Sequence, residues 1–302
     1  MPEDLKLTDE AIEKWREAGK ITSKARELAA SLVVPGARLE DVAERVEGFI
    51  RKQGAKPAFP LNLSADHLAA HYSPDIDDPL RFVAGQLVKV DIGAHVDGYP
   101  ADSAMTVEVG GQRRYGDYVR ASREALAAGV ETIGPDVSLS KVGEAIELTV
   151  RAYGLRPISN LTGHLIRRNE LHAGKSVPNV GGHKGDFARV GEVFAIEPFA
   201  TSGDGEVVNG EPGNIYRFQG VRKVKDPDAD RLQKAIAREH PSLPFAARWC
   251  RTLCDSPKKS VKALRSAGVL YAYPVLVEKA EGPVSQHEHT VIVAASGAQL
   301  IT

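Results

Sequence analysis

Cysteine is scarce in this chain of 302 residues, and long hydrophobic runs are missing. The only two cysteines are Cys250 and Cys254, so no second pair completes a four-sulfur zinc site. We interpret them as reduced structural thiols, which favours a cytoplasmic location. Because no run of about 18 apolar residues occurs, the sequence predicts no membrane span and no membrane partner.

The sequence also predicts no secretion signal, and it carries no excess of charge. Its start, Met1 to Asp4, does not follow the basic-then-apolar order of a signal peptide. Thirty-nine Lys and Arg stand against 40 Asp and Glu, which gives a formal net charge of -1. No overall electric field therefore selects nucleic acid or an anionic membrane. Apolar residues make up 42% of the chain, enough for a sizeable core.

Local patterns predict helices first and a hairpin later. Residues 8–53 carry apolar side chains at helical spacing, interrupted at Val34–Ala37, and Thr8 is suited to cap the first of two helices. Residues 86–93 and 101–109 alternate as strands do. A turn near Val96–Tyr99 joins them, so we expect an antiparallel pair.

A short internal similarity links two distant segments. Gly85 to Asp91 and Gly191 to Glu197 share one pattern: a glycine, a polar residue, two apolar residues, a variable residue, an apolar residue and a carboxylate. A match of this length arises by chance, or from two related half-domains that each deliver a carboxylate from the end of a strand. Both interpretations stay open.

Five candidate metal ligands lie in strand-like segments or glycine turns: Asp91, Asp102, His164, Glu197 and Glu288. A carboxylate removed from water is costly unless it is paired or bound to a cation. The hairpin turn lies about midway between the two aspartates, so we expect them to face each other within a residue or so of register. Oxygen ligands with one imidazole favour Mn, Fe, Co or Zn.

Each of these residues also has a plainer interpretation. The two aspartates alone fit a solvated hairpin face equally well. His164 alone is typical of a satisfied turn histidine, Glu197 fits the end of a strand, and Glu288 fits an exposed polar cluster. Their joint order and spacing favour the metal site.

Longer motifs extend this pattern over nearly the whole chain. They are Phe59-Pro60-x-Asn62-Leu63-Ser64 with Ala70-His71-Tyr72-Ser73-Pro74; Val90-Asp91-Ile92-Gly93-Ala94-His95 with Asp102; Leu161-Thr162-Gly163-His164; Leu171-His172-Ala173-Gly174-Lys175; Ala195-Ile196-Glu197-Pro198; and Gln286-His287-Glu288-His289-Thr290. Together they resemble the methionine aminopeptidases, specifically the type 2, archaeal-like branch. The residue before Glu288 is usually aromatic in that family and is His287 here; we expect the ligand set to be unaffected.

The resemblance implies an α/β fold of the pita-bread (creatinase/aminopeptidase) type, with two halves related by pseudo-two-fold symmetry. It implies a catalytic domain of residues 1–212 and 274–302, and a helical, winged-helix-like type 2 insertion at residues 213–273. We expect a cytoplasmic monomer that acts on the N-terminal methionine of nascent polypeptides. No specific nucleic acid is expected, and a transient ribosome contact stays open.

The resemblance also assigns roles by position. It places two divalent metal ions (Co, Mn, Fe or Zn) on Asp91, Asp102, His164, Glu197 and Glu288, with Asp102 and Glu288 bridging. His71 and His172 match family histidines that contact the substrate and help to stabilise the transition state. Phe59 and Leu171 line the methionine pocket in this comparison, with Tyr273 at its edge.

The implied reaction is removal of the initiator methionine by a metal-bridging hydroxide. Two metals lower the pKa of a shared water. Glu197 is the best candidate to accept the water proton and return it to the leaving amine. His172 and His71 are expected to donate hydrogen bonds to the oxyanion.

Two other functions fit parts of this pattern. A prolidase or creatinase would share the five-ligand pattern, but residues 59–74 and the insertion argue against it. A non-catalytic nucleic-acid- or ribosome-binding relative would lose ligands, and all five ligand types are present here. The basic residues between 213 and 273 keep a secondary RNA contact open, although a solvated helical face is the plainer interpretation.

Overall fold

The computed structural model describes residues 7–182 and 185–302, so the start that was inspected for a signal sequence lies outside the described residues. Within them the α-helices are α1 (Asp9–Leu32), α2 (Leu39–Lys52), α3 (Gly116–Thr132), α4 (Leu139–Ala152), α5 (Pro227–Glu239) and α6 (Pro257–Ser266), with a 3-10 helix at Ala247–Thr252. Among these residues, none of the helices has both the length and the apolar character that crossing a membrane requires.

The strands of the described residues are β1 (Lys56–Pro57), β2 (Asn62–Ala65), β3 (Leu68–Ala70), β4 (Leu87–Val96), β5 (Tyr99–Glu108), β6 (Arg156–Pro157), β7 (Thr162–Ile166), β8 (Ser176–Pro178), β9 (Val193–Ile196), β10 (Phe199–Thr201), β11 (Val207–Phe218), β12 (Phe245–Ala246), β13 (Leu270–Glu278), β14 (Val284–Gln286), β15 (Glu288–Ala294) and β16 (Gly297–Leu300). Helices and strands share the chain in the mixed manner of an α/β protein.

Both predicted N-terminal helices form. α1 begins after Thr8, whose side-chain oxygen accepts a hydrogen bond from the N–H of Ala11 at 3.2 Å, and this satisfies one of the free N–H groups at the helix start. The predicted break at Val34–Ala37 is confirmed, since the structure has no helix between Leu32 and Leu39. The apolar faces of both helices share one core with β2 and β4.

The main sheet joins strands from both ends of the chain. Its order is β1-β4-β5-β15-β9-β7-β8, with β2 added beside β4 and β16 beside β15. The halves meet where β5 pairs with β15, at the partners Ala104 and Glu288. Since β15 comes from the C-terminal segment, the sheet is complete only when segments far apart in sequence come together.

The register of the β4–β5 hairpin corrects the expected pairing of the two aspartates. Asp102 lies opposite Gly93, whereas Asp91 lies opposite Ala104, so the aspartates are offset by two residues instead of facing each other. The turn is the residue pair between Val96 and Tyr99, as predicted, but its centre lies one position beyond the midpoint of the two aspartates. Side chains alternate along a strand, so an offset of two keeps both carboxylates on the same face.

The two segments with similar sequences occupy equivalent places. Each glycine, Gly85 and Gly191, has a positive φ, 87° and 89°, which favours glycine because it has no Cβ. Each donates its N–H at 2.8 Å, to the carbonyl of Val109 directly after β5 in one half and to that of Val293 in β15 in the other. The interpretation as two related half-domains is confirmed.

The helix pairs repeat the same relation. At the start of α2 the N–H of Leu39 donates to the carbonyl of Leu80 at 3.1 Å, and at the start of α4 the N–H of Leu139 donates to the carbonyl of Asp186 at 2.8 Å. α3 and α4 pack on a second apolar core that includes β9 and β15. Each half is therefore a helix pair covering one side of the shared sheet.

A smaller layer holds the segment predicted as an insertion. β11 and β13 pair along most of their length, flanked by β12 and β3, and α5, the 3-10 helix and α6 add a third apolar core. The predicted bounds, positions 213 and 273, lie inside β11 and β13. The division of the chain at these positions stays a prediction.

Candidate metal centre

A cavity of about 240 Å³ opens beside the junction of the two halves. All ten residues singled out in the sequence line it: Phe59, His71, Asp91, Asp102, His164, Leu171, His172, Glu197, Tyr273 and Glu288. They come from both halves and from β13, so their convergence is a property of the tertiary fold.

Five neighbouring strands deliver the five candidate ligands. Asp91 lies in β4, Asp102 in β5 and His164 in β7, Glu288 opens β15, and Glu197 directly follows β9. These strands are adjacent in the order β4-β5-β15-β9-β7. Adjacent strands lie about 4.8 Å apart, which brings side chains of five separate segments to one place.

Three of the ligands already form a close group. One ligand atom each from Asp102, His164 and Glu288 lies within 4.8 Å of the others. The imidazole Nε2 of His164 lies 3.8 Å from Asp102 Oδ2 and 3.5 Å from Glu197 Oε1. Because burial lowers the pKa of His164 well below its ordinary value, the imidazole that faces these carboxylates is neutral.

The oxygens of this group lack donors. Asp91 Oδ1, Asp102 Oδ1 and Glu288 Oε2 are buried without a hydrogen-bond partner among the described residues. No lysine or arginine of residues 7–182 and 185–302 lines the cavity. Buried lone pairs with neither donor nor counter-charge are expensive, and divalent cations satisfy them. The residues present therefore fit a metal centre.

The acidity of the carboxyl groups points the same way. Burial raises the pKa of Asp91 to about 7. It also raises the pKa values of Asp102, Glu197 and Glu288 well above their ordinary range, and repulsion among the carboxylates adds to the rise. These groups retain protons until a cation replaces them, so metal binding here releases protons.

His71 lines the cavity in a defined orientation. Its Nδ1 lies 3.3 Å from the carbonyl oxygen of Pro274; a carbonyl only accepts, so Nδ1 carries the proton. Burial lowers the pKa of His71 to about 4, and the ring is neutral near pH 7. This tautomer leaves Nε2 as an acceptor in the free protein, and the catalytic role expected of His71 stays a prediction. His172, whose ring centroid lies 4.2 Å from that of His164, keeps the donor role open.

An apolar pocket adjoins the acidic group. Phe59 and Leu171, the predicted methionine-pocket residues, pack with Ala58 and Leu243 in one small cluster. Tyr273 lies near His71, with 5.6 Å between ring centroids. Pro244, from the segment between α5 and β12, also lines the cavity, so the predicted insertion contributes to the pocket wall.

Sequence reasoning missed several residues of the cavity lining: Asn62, Asn160, Thr162, Ile215 and Pro244. Asn62 and Thr162 stand inside the motifs quoted above, and their polarity within apolar strands was a usable signal. Ile215 and Pro244 carried none, because an apolar residue in a helical or strand pattern is normally assigned to a core.

Comparisons with known proteins agree with this geometry. Residues 13–293 match the model of metallopeptidase family M24. The methionine aminopeptidase of Methanocaldococcus jannaschii is 44% identical over 293 residues, covering 97% of this chain and 99% of the relative. That of Archaeoglobus fulgidus is also 44% identical, covering 98% of this chain and all of the relative.

Solved structures show the same fold at lower identity. A methionine aminopeptidase from Thermotoga maritima superposes with a TM-score of 0.71 at 24% identity, covering 98% of both chains. These likenesses confirm the pita-bread α/β fold. By family match, sequence identity and fold, the chain belongs to metallopeptidase family M24, in the group of the archaeal methionine aminopeptidases.

Proposed function

We propose that the chain removes the N-terminal methionine from polypeptides by metal-dependent hydrolysis. The observation that carries this proposal is the convergence of four carboxylates and one imidazole from five adjacent strands on one cavity. The apolar cluster beside them gives a place for a methionine side chain. The high identity to archaeal methionine aminopeptidases supports the same reaction.

Asp91, Asp102, His164, Glu197 and Glu288 would hold two divalent cations of the class Co, Mn, Fe or Zn. Their donors, oxygens with one imidazole nitrogen, suit these metals. Bound cations would supply Lewis acidity and lower the pKa of a water molecule in the cavity.

Side chains of the protein would handle the protons of the reaction. Glu197 is the proposed base: it would accept the proton of the attacking water and pass it to the leaving amine. Its Oε2 lies 3.5 Å from the amide nitrogen of Gln286, which holds the carboxylate at the cavity wall. His172 would donate to the carbonyl oxygen as charge develops there. His71, with an unprotonated Nε2, would accept the N–H of the scissile peptide.

Substrate selection would rest on the apolar cluster. Phe59 and Leu171 line the cavity with Leu243 packed in the same cluster. The two lining side chains present no hydrogen-bonding group to a bound side chain, which suits an unbranched thioether. Tyr273 at the edge would limit the width of the pocket. One methylene more or less changes binding by only about 1–3 kcal/mol, so the depth of the pocket must supply much of the preference.

We also propose that the enzyme works as a cytoplasmic monomer on nascent chains, with residues 213–273 as a type 2 insertion. The free, buried thiols of Cys250 and Cys254 suit a reducing setting. A ribosome contact through the basic residues of the insertion would be transient, and filter binding at several salt concentrations tests it.

The direct experiment is cleavage of Met-Gly-Met-Met by protein loaded with each metal in turn. We expect turnover in the wild type and a loss of about 100-fold or more in Glu197→Gln, with bound metal measured on the same samples. Glu206→Gln alters an exposed glutamate and is expected to leave turnover unchanged. Full turnover in Glu197→Gln excludes the proposed base, and cleavage of X-Pro dipeptides instead would favour a prolidase.

A further inference from the structure

Asn62 is a buried polar side chain in the cavity wall for which no role follows from the metal centre. It opens β2, is 3% exposed and lines the cavity. It pairs directly with Asp91 across the β2–β4 ladder. Side chains of directly paired residues stand on the same face with Cβ atoms about 5 Å apart, so the Asn62 amide lies beside a candidate metal ligand.

The orientation of this amide is fixed by its neighbour. Its Nδ2 donates to the carbonyl oxygen of Pro60 at 2.8 Å. A carbonyl oxygen cannot donate, so the nitrogen must face Pro60 and the oxygen must point elsewhere. Asn62 Oδ1 is buried and has no donor among the described residues. The side chain therefore presents an unsatisfied acceptor from a fixed position.

Other buried amide oxygens do not share this situation. Asn179 Oδ1 and Gln286 Oε1 also lack donors, but neither residue lines the cavity. Asn160 lines it and is satisfied on both sides, since its Nδ2 donates to the carbonyl of Val207 and its Oδ1 accepts from the N–H of Val207, both at 2.8 Å. Asn62 alone among these combines an unsatisfied oxygen with a place on the cavity wall.

No described residue donates to Asn62 Oδ1. The described lining has no lysine or arginine, and once a metal is bound the ionised carboxylates only accept. A bound N-terminal methionine brings N–H groups at two places, the α-amino group and the next peptide nitrogen, while its thioether brings none. The peptide N–H has an acceptor in His71. The α-amino group is the donor left for the oxygen beside Asp91.

We infer that Asn62 Oδ1 accepts a hydrogen bond from the free α-amino group of the substrate. The inference rests on the proposed function and adds a residue that recognises the free N-terminus of the substrate. Phe59 stands three residues earlier and lines the side-chain pocket, so one short segment contacts both the methionine side chain and its amine. A blocked amine could not satisfy this acceptor in the same way.

The test uses two inhibitors that differ only in the amine: L-methioninol and 4-(methylthio)butan-1-ol. Their inhibition constants are measured against Met-Gly-Met-Met cleavage by metal-loaded protein. We expect the preference for the amine-bearing alcohol to fall about ten-fold in Asn62→Leu, which keeps the shape and removes the acceptor. Asn62→Asp, which keeps an oxygen there, is expected to retain the preference. Asn62→Ala removes the same oxygen if the leucine variant does not fold.

Asn160→Ala is the matched control, because its amide is already satisfied within the protein; it should change both inhibition constants by the same factor. An amine preference that survives the loss of the Asn62 oxygen overturns this inference alone. A wild type that cleaves Met-Gly-Met-Met with none of the metals overturns the proposed function, and this inference with it.

Discussion

Thr290 holds the backbone of Asp102 from both sides. Its Oγ1 accepts from the N–H of Asp102 at 2.7 Å and donates to the carbonyl of Asp102 at 2.8 Å. These two bonds link β15 to β5 at the place where the halves of the sheet meet. The Thr290 hydroxyl, on another strand, therefore helps to orient the carboxylate of Asp102.

We expect Thr290→Val to weaken metal binding about 10- to 100-fold, because valine has the same shape but cannot hold the Asp102 peptide. Titration of the metal-free protein with Mn²⁺, followed calorimetrically, measures the change. Thr132→Val is the control: it removes one hydroxyl bond within α3 and should not alter affinity. Equal affinities in Thr290→Val and wild type would show that β15 does not orient the ligand.

At the scale of elements, a buried ion pair joins the predicted insertion to the first half. The Nη1 and Nη2 atoms of Arg248 each donate to a carboxylate oxygen of Glu47 at 2.9 Å, and both side chains are 1% exposed. Glu47 also accepts from Trp249 Nε1 at 2.6 Å and from the N–H of Leu61 at 3.1 Å. The network ties the 3-10 helix and α2 to the segment that carries Phe59.

Loss of this pair should destabilise the whole protein. We expect Arg248→Met to lower the free energy of unfolding by about 3–5 kcal/mol, because the Glu47 carboxylate stays buried without its counter-charge. Urea denaturation of metal-loaded protein measures it.

The exposed pair of Lys234 and Asp230, 2.6 Å apart, supplies a control, since Lys234→Met should cost less than about 1 kcal/mol. If Arg248→Met lowers the free energy of unfolding by no more than the control does, the structural role given to the buried pair is contradicted.

At the scale of the whole molecule, the sequence predicts those structural features that a local residue pattern determines. Helices with a capping residue and an apolar face, such as the one after Thr8, were found. The residues of the site were found through motifs. The sequence analysis does not give the two-residue offset of Asp91 and Asp102, because moving the centre of a turn by one position changes the register by two residues. The bond from Glu47 to Arg248 spans 201 positions, and no local signal encodes such a contact.

Metal removal should make stability depend on pH. The Asp91 carboxyl has a pKa of about 7 in the folded protein, above its unfolded value of about 4. Without metal, the folded state holds this proton after the unfolded chain has lost it, so the free energy of unfolding falls as pH rises from about 4 to about 7.

A bound cation displaces that proton more easily as pH rises. We therefore expect the increase in Tm on adding Mn²⁺ to be larger at about pH 7.5 than at about pH 5. Calorimetry of metal-free and metal-loaded samples at both pH values measures this increase. The contributions of histidines remote from the site are nearly the same in both samples and largely cancel in the difference. An increase that shrinks as pH rises would contradict the acidic cluster as the binding site.

The central claim, that five side chains from five adjacent strands hold the metal of this enzyme, is tested most directly by anomalous diffraction from Mn²⁺-loaded crystals. The account predicts anomalous peaks in the cavity at about 2.0–2.3 Å from atoms of Asp91, Asp102, His164, Glu197 and Glu288. Peaks elsewhere on the protein, with these five side chains bound to no ion, would contradict it.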